Sequence, residues 1–516
     1  MAEQQLLIVG AGPTGLVLAI ELARRSVPLR IIDRRDEPMA EDRAVIISPS
    51  TLEACRRMGV VDQVLEGSAR TREVRFFWNG HLLTWLPVGS GHRYPFNANM
   101  PEGRFCAILE RRLNDLGVGV EWSCALSELE AGPERVAARL DGAGSSSEAD
   151  VGWLVGCDGA HSTVRAGVGI AFDGHDLPFE WHVLDAPLIE RGFPDESDAI
   201  WLDEGWVAAV NLPEDLYRIY FRTRSHLDDP EAWLREYLDS RAAPVPGRLG
   251  ATTQMASYWT HSRVAARFRS GRILLAGDAA HAISPIEGRG MNAGVQDALN
   301  LGWKLANVVD AGADEVLLDT FEAERRPVAR AVAQSADAAE MLGADDDVPA
   351  RRRALRTFAM RVSGLQRTTH LERDASIEAG VYEPNELVEK HDTPCDLAPG
   401  SRLGTGLAVI DGEGAEVMLM DLLDATSPSI VAWISDCAPD EIHESSSMGS
   451  PMVVVGRQAV AFPGATCVAD PELGAHDLVG VADLAVMVIR PDGVVGLRHD
   501  APGIDWSQIA DYLRRA

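Results

Sequence analysis

The segment Gln5-Leu-Leu-Ile-Val9-Gly10-Ala-Gly12-Pro13-Thr14-Gly15 holds the strongest fold signal in the chain. The apolar run before Gly10 reads as a buried parallel strand and residues 16–25 as an apolar helix. Val27-Pro-Leu-Arg-Ile-Ile32 is then a second strand ending in Asp33. Each glycine of the loop has a physical reason, whether a tight turn, close approach of a pyrophosphate, or close helix–strand packing. Asp33, eighteen residues past Gly15, is placed to accept hydrogen bonds from an adenosine ribose. A βαβ unit of this size with GxGxxG and a downstream acid is a dinucleotide-binding unit. It does not choose between a flavin and a nicotinamide nucleotide.

Two later loops repeat the strand–loop–helix arrangement. Val151-Gly-Trp-Leu-Val155 leads into Gly156-Cys157-Asp158-Gly159-Ala160-His161-Ser162-Thr163-Val164-Arg165. Arg272-Ile-Leu-Leu-Ala276 leads into Gly277-Asp278-Ala-Ala-His281, then Pro285, then Gly288-Arg289-Gly290-Met291-Asn292. A long helical pattern with Val295, Leu299 and Trp303 follows. A glycine-rich loop with one fixed carboxylate and a helix start behind it presents N–H groups and a favourable dipole to an anionic or electron-rich ligand. The reading at this loop is a flavin ring.

The 516 residues predict two to four domains. A formal net charge of −30 argues against nucleic acid or an anionic membrane surface as partner. Of 48 basic residues only Lys304 and Lys390 are lysines, a compositional bias rather than a phosphate-reading patch. The seven cysteines are scattered without CxxC or metal-ligand spacing, which predicts buried thiols, no metal and a cytoplasmic chain. Residues 6–23 are apolar but follow Glu3 and are interrupted by glycines, unlike a signal peptide. No run reaches the roughly 20 apolar residues of a membrane span.

Residues 43–52 predict a short strand and a helix starting near Ser50, with Arg43 at its entry after an acidic stretch. Residues 105–117 read as a helix, 118–126 as a strand and 128–141 as an exposed hairpin with a Gly/Ser-rich end. Residues 170–269 alternate and are rich in aromatics, which predicts an inserted antiparallel sheet covering a pocket. Trp201, Trp206, Tyr217 and Phe221 are its candidate pocket walls. Pro327 predicts a kink or break in a helix over 315–342, and 350–379 reads as a further Arg-rich helix. From about His391 a turn-rich entry leads to strands, a Pro-Asp-Gly493 hairpin and a closing helix, a small separate α/β domain.

Three motifs in this order, Gly10 to Gly15, Asp158 to Arg165, and Gly277 to His281 with Gly288 to Asn292, resemble the group A flavoprotein monooxygenases, the para-hydroxybenzoate hydroxylase and phenol hydroxylase family. The C-terminal segment resembles the thioredoxin-like appendix of phenol hydroxylase and of aromatic polyketide hydroxylases, without its cysteine pair. The resemblance implies an α/β fold. A Rossmann-type FAD-binding domain with a helical extension covers 1–169 and 270–388. An inserted mixed or antiparallel-sheet substrate domain covers 170–269, and a thioredoxin-like domain 389–516.

On that resemblance Gly10, Gly12, Pro13, Thr14 and Gly15 hold the FAD pyrophosphate, Asp33 holds the ribose, and Arg34 is a further cofactor-binding residue. Arg43 contacts the cofactor, and Leu126 makes a backbone contact to adenine. Asp158 and Arg165 serve the cofactor and the approach of NADPH or NADH. Asp278 binds the ribityl chain, and Gly288, Gly290, Met291 and Asn292 present N–H groups to the flavin's N1–C2=O edge. Pro285 lies by the position where O2 adds. Two positions depart from the family pattern: Cys106 stands where a glutamine is usual, and Glu287-Gly288-Arg289-Gly290 replaces Gly-Gly-Gln-Gly.

The implied reaction is NAD(P)H-consuming hydroxylation of an aromatic substrate through a C4a-hydroperoxyflavin. A polycyclic polyketide or other phenolic natural product is the expected substrate. A Baeyer–Villiger or antibiotic-inactivating oxidation is the alternative on the same scaffold, and a non-catalytic flavoprotein the alternative from another class. Expected partners are the small aromatic substrate and at most a second copy of the chain (monomer or homodimer), with no nucleic acid and no membrane.

Overall fold

In the computed structural model Leu6–Val9 pairs in parallel with Leu29–Ile32 on one side and Trp153–Gly156 on the other. Ile273–Leu275 continues the parallel order beyond Trp153–Gly156, and short strands at Arg269–Ser270 and Val120–Glu121 close a six-stranded sheet. The structure describes residues 6–37, 44–341 and 401–515, with breaks at 79, 90–91, 143, 203–205, 241–247, 402, 404–406, 412, 435–449, 458–464, 471–474, 477–480, 482–483 and 501–505. Arg43 and the helix expected over 350–379 lie outside the described residues.

The central parallel strands are apolar and almost wholly buried because helices Pro13–Ala23, Glu102–Asp115 and Gly290–Ala306 and the antiparallel strands of 125–151 share one core with them, so they read as continuous rather than alternating runs. Helix Pro13–Ala23 packs on helix Gly290–Ala306 through glycine contacts. A Cβ at Gly294 would collide with Thr14 Oγ1, and one at Gly302 would meet Glu21. Helix Gly290–Ala306 is buried from Asn292 to Ala306, as expected of a helix that is mostly apolar all round. Helix Asp319–Glu340 is continuous through Pro327, so of the expected kink or break there is no break. Its buried face, including Phe321, Val328 and Val332, holds the turn in place.

The hairpin expected over 128–141 is the first half of a three-stranded antiparallel sheet, Ala125–Ala131, Val136–Gly142 and Ser145–Val151. The Gly/Ser-rich end is its second turn and third strand.

The large sheet corrects the expected insertion. Its order is His281–Ala282, Gln254–Ala265, Phe172–Ile189, Leu216–Thr223, Val207–Asn211, Ser197–Trp201, Glu73–Trp78 and His81–Pro87, with Arg248–Leu249 beside Phe172–Ile189. Two of the nine strands thus come from 73–87, and Ser197–Trp201 pairs in parallel with Glu73–Trp78. A separate small sheet pairs Ile46–Ile47, Asn97–Asn99 and Ala69–Thr71, and Ala69–Thr71 packs beside Ser197–Trp201 and Val207–Asn211.

The C-terminal unit is a seven-stranded mixed sheet with helix Trp506–Arg515. It packs against the rest through Trp303 and Leu317, which share an apolar cluster with Ile430, Val486 and Ile509. Among the described residues no helix is long and apolar enough to cross a membrane.

A candidate dinucleotide and substrate site

Gly10, Asp33, Asp158 and Asp278 are far apart in sequence, yet each follows the carboxyl end of one of the sheet's five parallel strands. Parallel pairing therefore brings all four loops to one edge, where open α/β sheets bind ligands. One cavity of about 1520 Å³ runs from this edge to the face of the large sheet. Its wall includes Gly10, Gly12, Pro13, Thr14, Asp33, Arg34, Leu126, Asp158, Asp278, Pro285, Gly288, Gly290, Met291 and Asn292.

The glycines divide the work. Gly10 has φ +106°, and a Cβ there would overlap the Cys157 carbonyl oxygen. At Gly15 a Cβ would overlap the Gly10 carbonyl oxygen, so Gly15 packs the helix on the strand and does not reach the cavity wall. Gly12 has no protein atom within 4 Å of its missing Cβ, which leaves an open cradle at the start of helix Pro13–Ala23. No side chain caps that helix, so its first N–H groups point toward the place a pyrophosphate would occupy.

Asp33 is only 7% exposed. Its carboxylate accepts hydrogen bonds from Ala11 N at 2.7 Å and from Arg35 N, Nε and Nη2 at 2.9, 2.9 and 2.8 Å. Burial pushes its pKa up, and the Arg35 and backbone hydrogen bonds more than reverse that, leaving it lowered. Asp278 sits between buried neighbours Gly277 and Ala279 and is itself exposed to the cavity, as a ribityl ligand requires.

Behind Asp278 stands a fully buried group that no sequence motif marks. Asp297, on helix Gly290–Ala306, accepts from Gly277 N at 3.1 Å, pairs with His281 Nε2 at 2.6 Å and accepts from Arg325 Nε at 2.7 Å. Burial raises the Asp297 pKa, but the charges and hydrogen bonds of His281 and Arg325 win and hold it below the ordinary carboxylate range. One carboxylate thus fixes the loop that carries Asp278. Its only sequence signal was an acid among apolar helix positions.

The loop Gly288 to Asn292 is fastened by Asn292 itself. Its Nδ2 donates to Ile46 O and Gly288 O at 2.9 and 3.0 Å, and its Oδ1 accepts from Ser48 N at 3.0 Å. The Asn292 side chain is thereby committed to structure. The two charges that depart from the family pattern compensate each other: Arg289 Nε lies 3.5 Å from Glu287 Oε2, and Ser335 Oγ donates to Glu287 Oε1 at 3.0 Å.

Several predicted site residues stand elsewhere. Cys106 is 3% exposed in the apolar core beside Phe105 and Leu109, off the cavity wall. Glu102, one turn earlier on the same helix, does line the cavity. Arg165 braces two loops, donating to Ala279 O at 2.8 Å and Ala160 O at 2.7 Å, with its guanidinium 3.7 Å from the centre of the Phe172 ring. Asp158 caps the helix after its own loop through Thr163 N at 2.7 Å and Val164 N at 3.1 Å.

Among the proposed substrate-wall aromatics only Trp206 lines the cavity. Trp201, Tyr217 and Phe221 lie on the opposite face, in a core with Tyr237 and Leu234. Neighbours along a strand point to opposite faces, so Ile200, Leu202, Ala208, Val210 and Tyr220 form the cavity side. Val74, Phe76, Leu86, Val45 and Ile286 complete that apolar limb. Trp206 holds φ +43°, unusual for a bulky side chain, and packs edge-on against Trp181 with ring centres 5.1 Å apart.

Residues 3–336 match the family described as FAD binding domain. Over 334 residues the chain is 40% identical to 6-methylpretetramide 4-monooxygenase of Streptomyces rimosus, a match covering 63% of this chain and 59% of that relative's length. The solved structure of OxyS, the anhydrotetracycline hydroxylase of Streptomyces rimosus, is 26% identical with a TM-score of 0.73, covering 99% of this chain and 98% of that one. Aklavinone-11 hydroxylase, solved as a ternary complex with FAD and aklavinone, shares the fold at TM-score 0.78 and 23% identity, with coverage of 99% and 98%. With an open glycine cradle, a buried Asp33 and a cavity-facing Asp278 on one sheet edge, the chain belongs to the FAD binding domain family.

Proposed function

We propose that the chain is an NAD(P)H-consuming, FAD-dependent monooxygenase that hydroxylates a polycyclic aromatic polyketide or other phenolic natural product. One observation carries this reading: the nucleotide edge and the apolar sheet face open into a single cavity, with Pro285 and Gly288 to Asn292 between them. A relative named for 6-methylpretetramide and a structure named for anhydrotetracycline support the substrate class.

In this reading the start of helix Pro13–Ala23 holds the pyrophosphate. Asp33 holds the ribose, Asp278 the ribityl hydroxyls, and the backbone of Gly288 to Asn292 the electron-rich ring edge. FAD, when bound, supplies hydride acceptance from NAD(P)H and the activation of O2. The protein orients the aromatic ring against the cofactor and excludes water with the apolar limb, which protects that chemistry from side reactions. No second GxGxxG follows a strand, so the nicotinamide nucleotide visits without a domain of its own.

The C-terminal unit reads as thioredoxin-like. Met452–Gly456 and Ser429–Ile434 pair in parallel, Leu484–Ile489 and Val495–Asp500 add antiparallel strands, and helix Trp506–Arg515 follows. Having no CxxC, it has no thiol chemistry to contribute.

The test is reconstitution with FAD followed by a screen of phenols and polyketide intermediates for stimulated NAD(P)H oxidation. A yellow protein whose NAD(P)H consumption rises several-fold with one such compound supports the reading. Failure to retain FAD, or consumption indifferent to every phenol, overturns it.

A further inference from the structure

The apolar limb of the cavity contains a carboxylate whose setting differs from the other buried acids of the large sheet. Asp198, on strand Ser197–Trp201, lines the cavity and is 3% exposed. Its Oδ1 accepts from Thr71 Oγ1 at 2.7 Å, Asn211 N at 3.0 Å and Asn99 Nδ2 at 3.5 Å. All three donors are neutral. By contrast Asp185 is held by Arg218 through Nε and Nη2 at 2.8 and 2.7 Å, and Glu180 faces His226 at 3.0 Å. Among the described residues no cation pairs with Asp198. A buried acid left without a counter-charge is costly and accumulates at functional sites.

Its position is tied to the flavin-edge loop. Asn292 donates to Ile46 O, Ile46 lies opposite Asn99 in the small sheet, and Asn99 donates to Asp198. Val74 stands opposite Asp198 in the sheet, and Phe76, Ile200 and Val210 line the same cavity. Of the arginines on the cavity wall, Arg34 and Arg35 flank or bind Asp33, and Arg289 faces Glu287.

We propose that Asp198 is the catalytic base of this pocket, accepting the hydroxyl proton of a neutral phenolic substrate, an inference that rests on the monooxygenase reading above. The substrate O–H bond breaks and the proton joins the carboxylate. The electron pair stays on the substrate oxygen and spreads to the ring carbons ortho and para to it. No electrons are exchanged, and the ring becomes a better nucleophile toward the activated oxygen. The carboxyl later returns the proton to solvent. The same setting disfavours aryl carboxylates, whose charge would face Asp198 without a compensating cation.

Burial pushes Asp198 up to about 7, against hydrogen bonds from Asn211, Thr71 and Asn99 that limit the rise. The groups around it are few. Strand Ala69–Thr71 offers Thr71, Asn97–Asn99 offers Asn99, and Val207–Asn211 offers a backbone N–H. Glu73–Trp78 offers Val74. Two strands away on Leu216–Thr223, the Tyr217 hydroxyl senses the Asp198 charge, and Arg218 is already held by Asp185. Activity controlled by this base therefore rises with pH through about 7.

The test uses FAD-loaded wild type, D198N and D198E with the phenol that best stimulates NAD(P)H oxidation, following hydroxylated product from pH 5 to 9. The expected result is a wild-type kcat/KM that climbs through neutrality, a D198N value at least about 100-fold lower without that inflection, and partial rescue in D198E. Melting temperatures of wild type and D198N across the same pH range give a readout without substrate. Because the Asp198 pKa is raised on folding, wild type should lose stability relative to D198N as pH rises toward 7. If D198N binds FAD and keeps the wild-type rate and profile, the proposal falls and the monooxygenase reading stands. If wild type hydroxylates no phenol, that reading falls and takes the proposal with it.

Discussion

Gly12 and Gly15 stand three positions apart and answer different demands. Gly12 faces open space, whereas a Cβ on Gly15 would overlap the Gly10 carbonyl. Gly12→Ala should therefore leave the melting temperature of flavin-free protein nearly unchanged while weakening FAD binding by about 100-fold, read by flavin fluorescence. Gly15→Ala should instead destabilise the fold by about 1–3 kcal/mol, read by denaturant titration. Asp297 is a residue of a third kind, touching no ligand but pinning Gly277 and His281. Asp297→Asn leaves Arg325 and His281 buried without their anion and should cost about 3–5 kcal/mol. Its pKa is lowered on folding, so its contribution is present above the unfolded value of about 4 and fades as pH falls through the folded value. Acid titration of wild type against D297N, followed by circular dichroism, measures that difference.

Strand parity governs the large sheet. Trp201 stacks on Phe77 with ring centres 5.8 Å apart in the far core, while Trp206 lines the cavity. Trp201→Ala should cost about 3–5 kcal/mol of stability, with no selective change in KM. Trp206→Ala should raise KM for the aromatic substrate several-fold with a smaller loss of stability. The nucleotide edge was legible in sequence because each parallel strand ends in a glycine or acid whose chemistry is local. The pocket face was not. Val207–Asn211 and Leu216–Thr223 are buried on both sides, so their composition does not say which neighbour points into the cavity, and one residue of register exchanges Phe221 for Tyr220. Strands Glu73–Trp78 and His81–Pro87 join that sheet from a hundred residues upstream of its other members. Their signal was the Asn79-Gly80 pair, a hairpin signature in sequence, between two strand-like runs. Asp198 carried no motif at all, because its meaning lies in the counter-charge it lacks, a property of the folded neighbourhood.

At the scale of the molecule, the C-terminal unit is built into the cofactor domain. Arg490 reaches Glu324 with both Nη atoms at 2.7 and 2.8 Å and Asp492 at 2.6 Å, and Glu324 also pairs with Lys304 at 2.7 Å. Arg57 donates to the Pro491 carbonyl at 2.5 Å. Lys304 belongs to helix Gly290–Ala306, whose first turn is part of the cavity-lining loop Gly288 to Asn292. Burial lowers Lys304 to about 8 despite Glu324, while the charges of Asp492 and Glu324 overcome burial and raise Arg490. Removing one member of such a network costs far more than removing a matched pair. Arg490→Met should therefore destabilise the protein by about 3–5 kcal/mol, and R490M combined with E324Q by less than the sum of the two, read by urea denaturation.

The proposed monooxygenase activity requires that one cavity join cofactor and aromatic substrate for oxygen transfer. The mass of the product formed from a stimulating phenol under 18O2, with NAD(P)H and the FAD-loaded chain, measures that transfer itself. The expected product is heavier by one 18O atom per turnover, with little hydrogen peroxide formed. A product free of 18O, or NAD(P)H oxidation that ends wholly in hydrogen peroxide, would refute it.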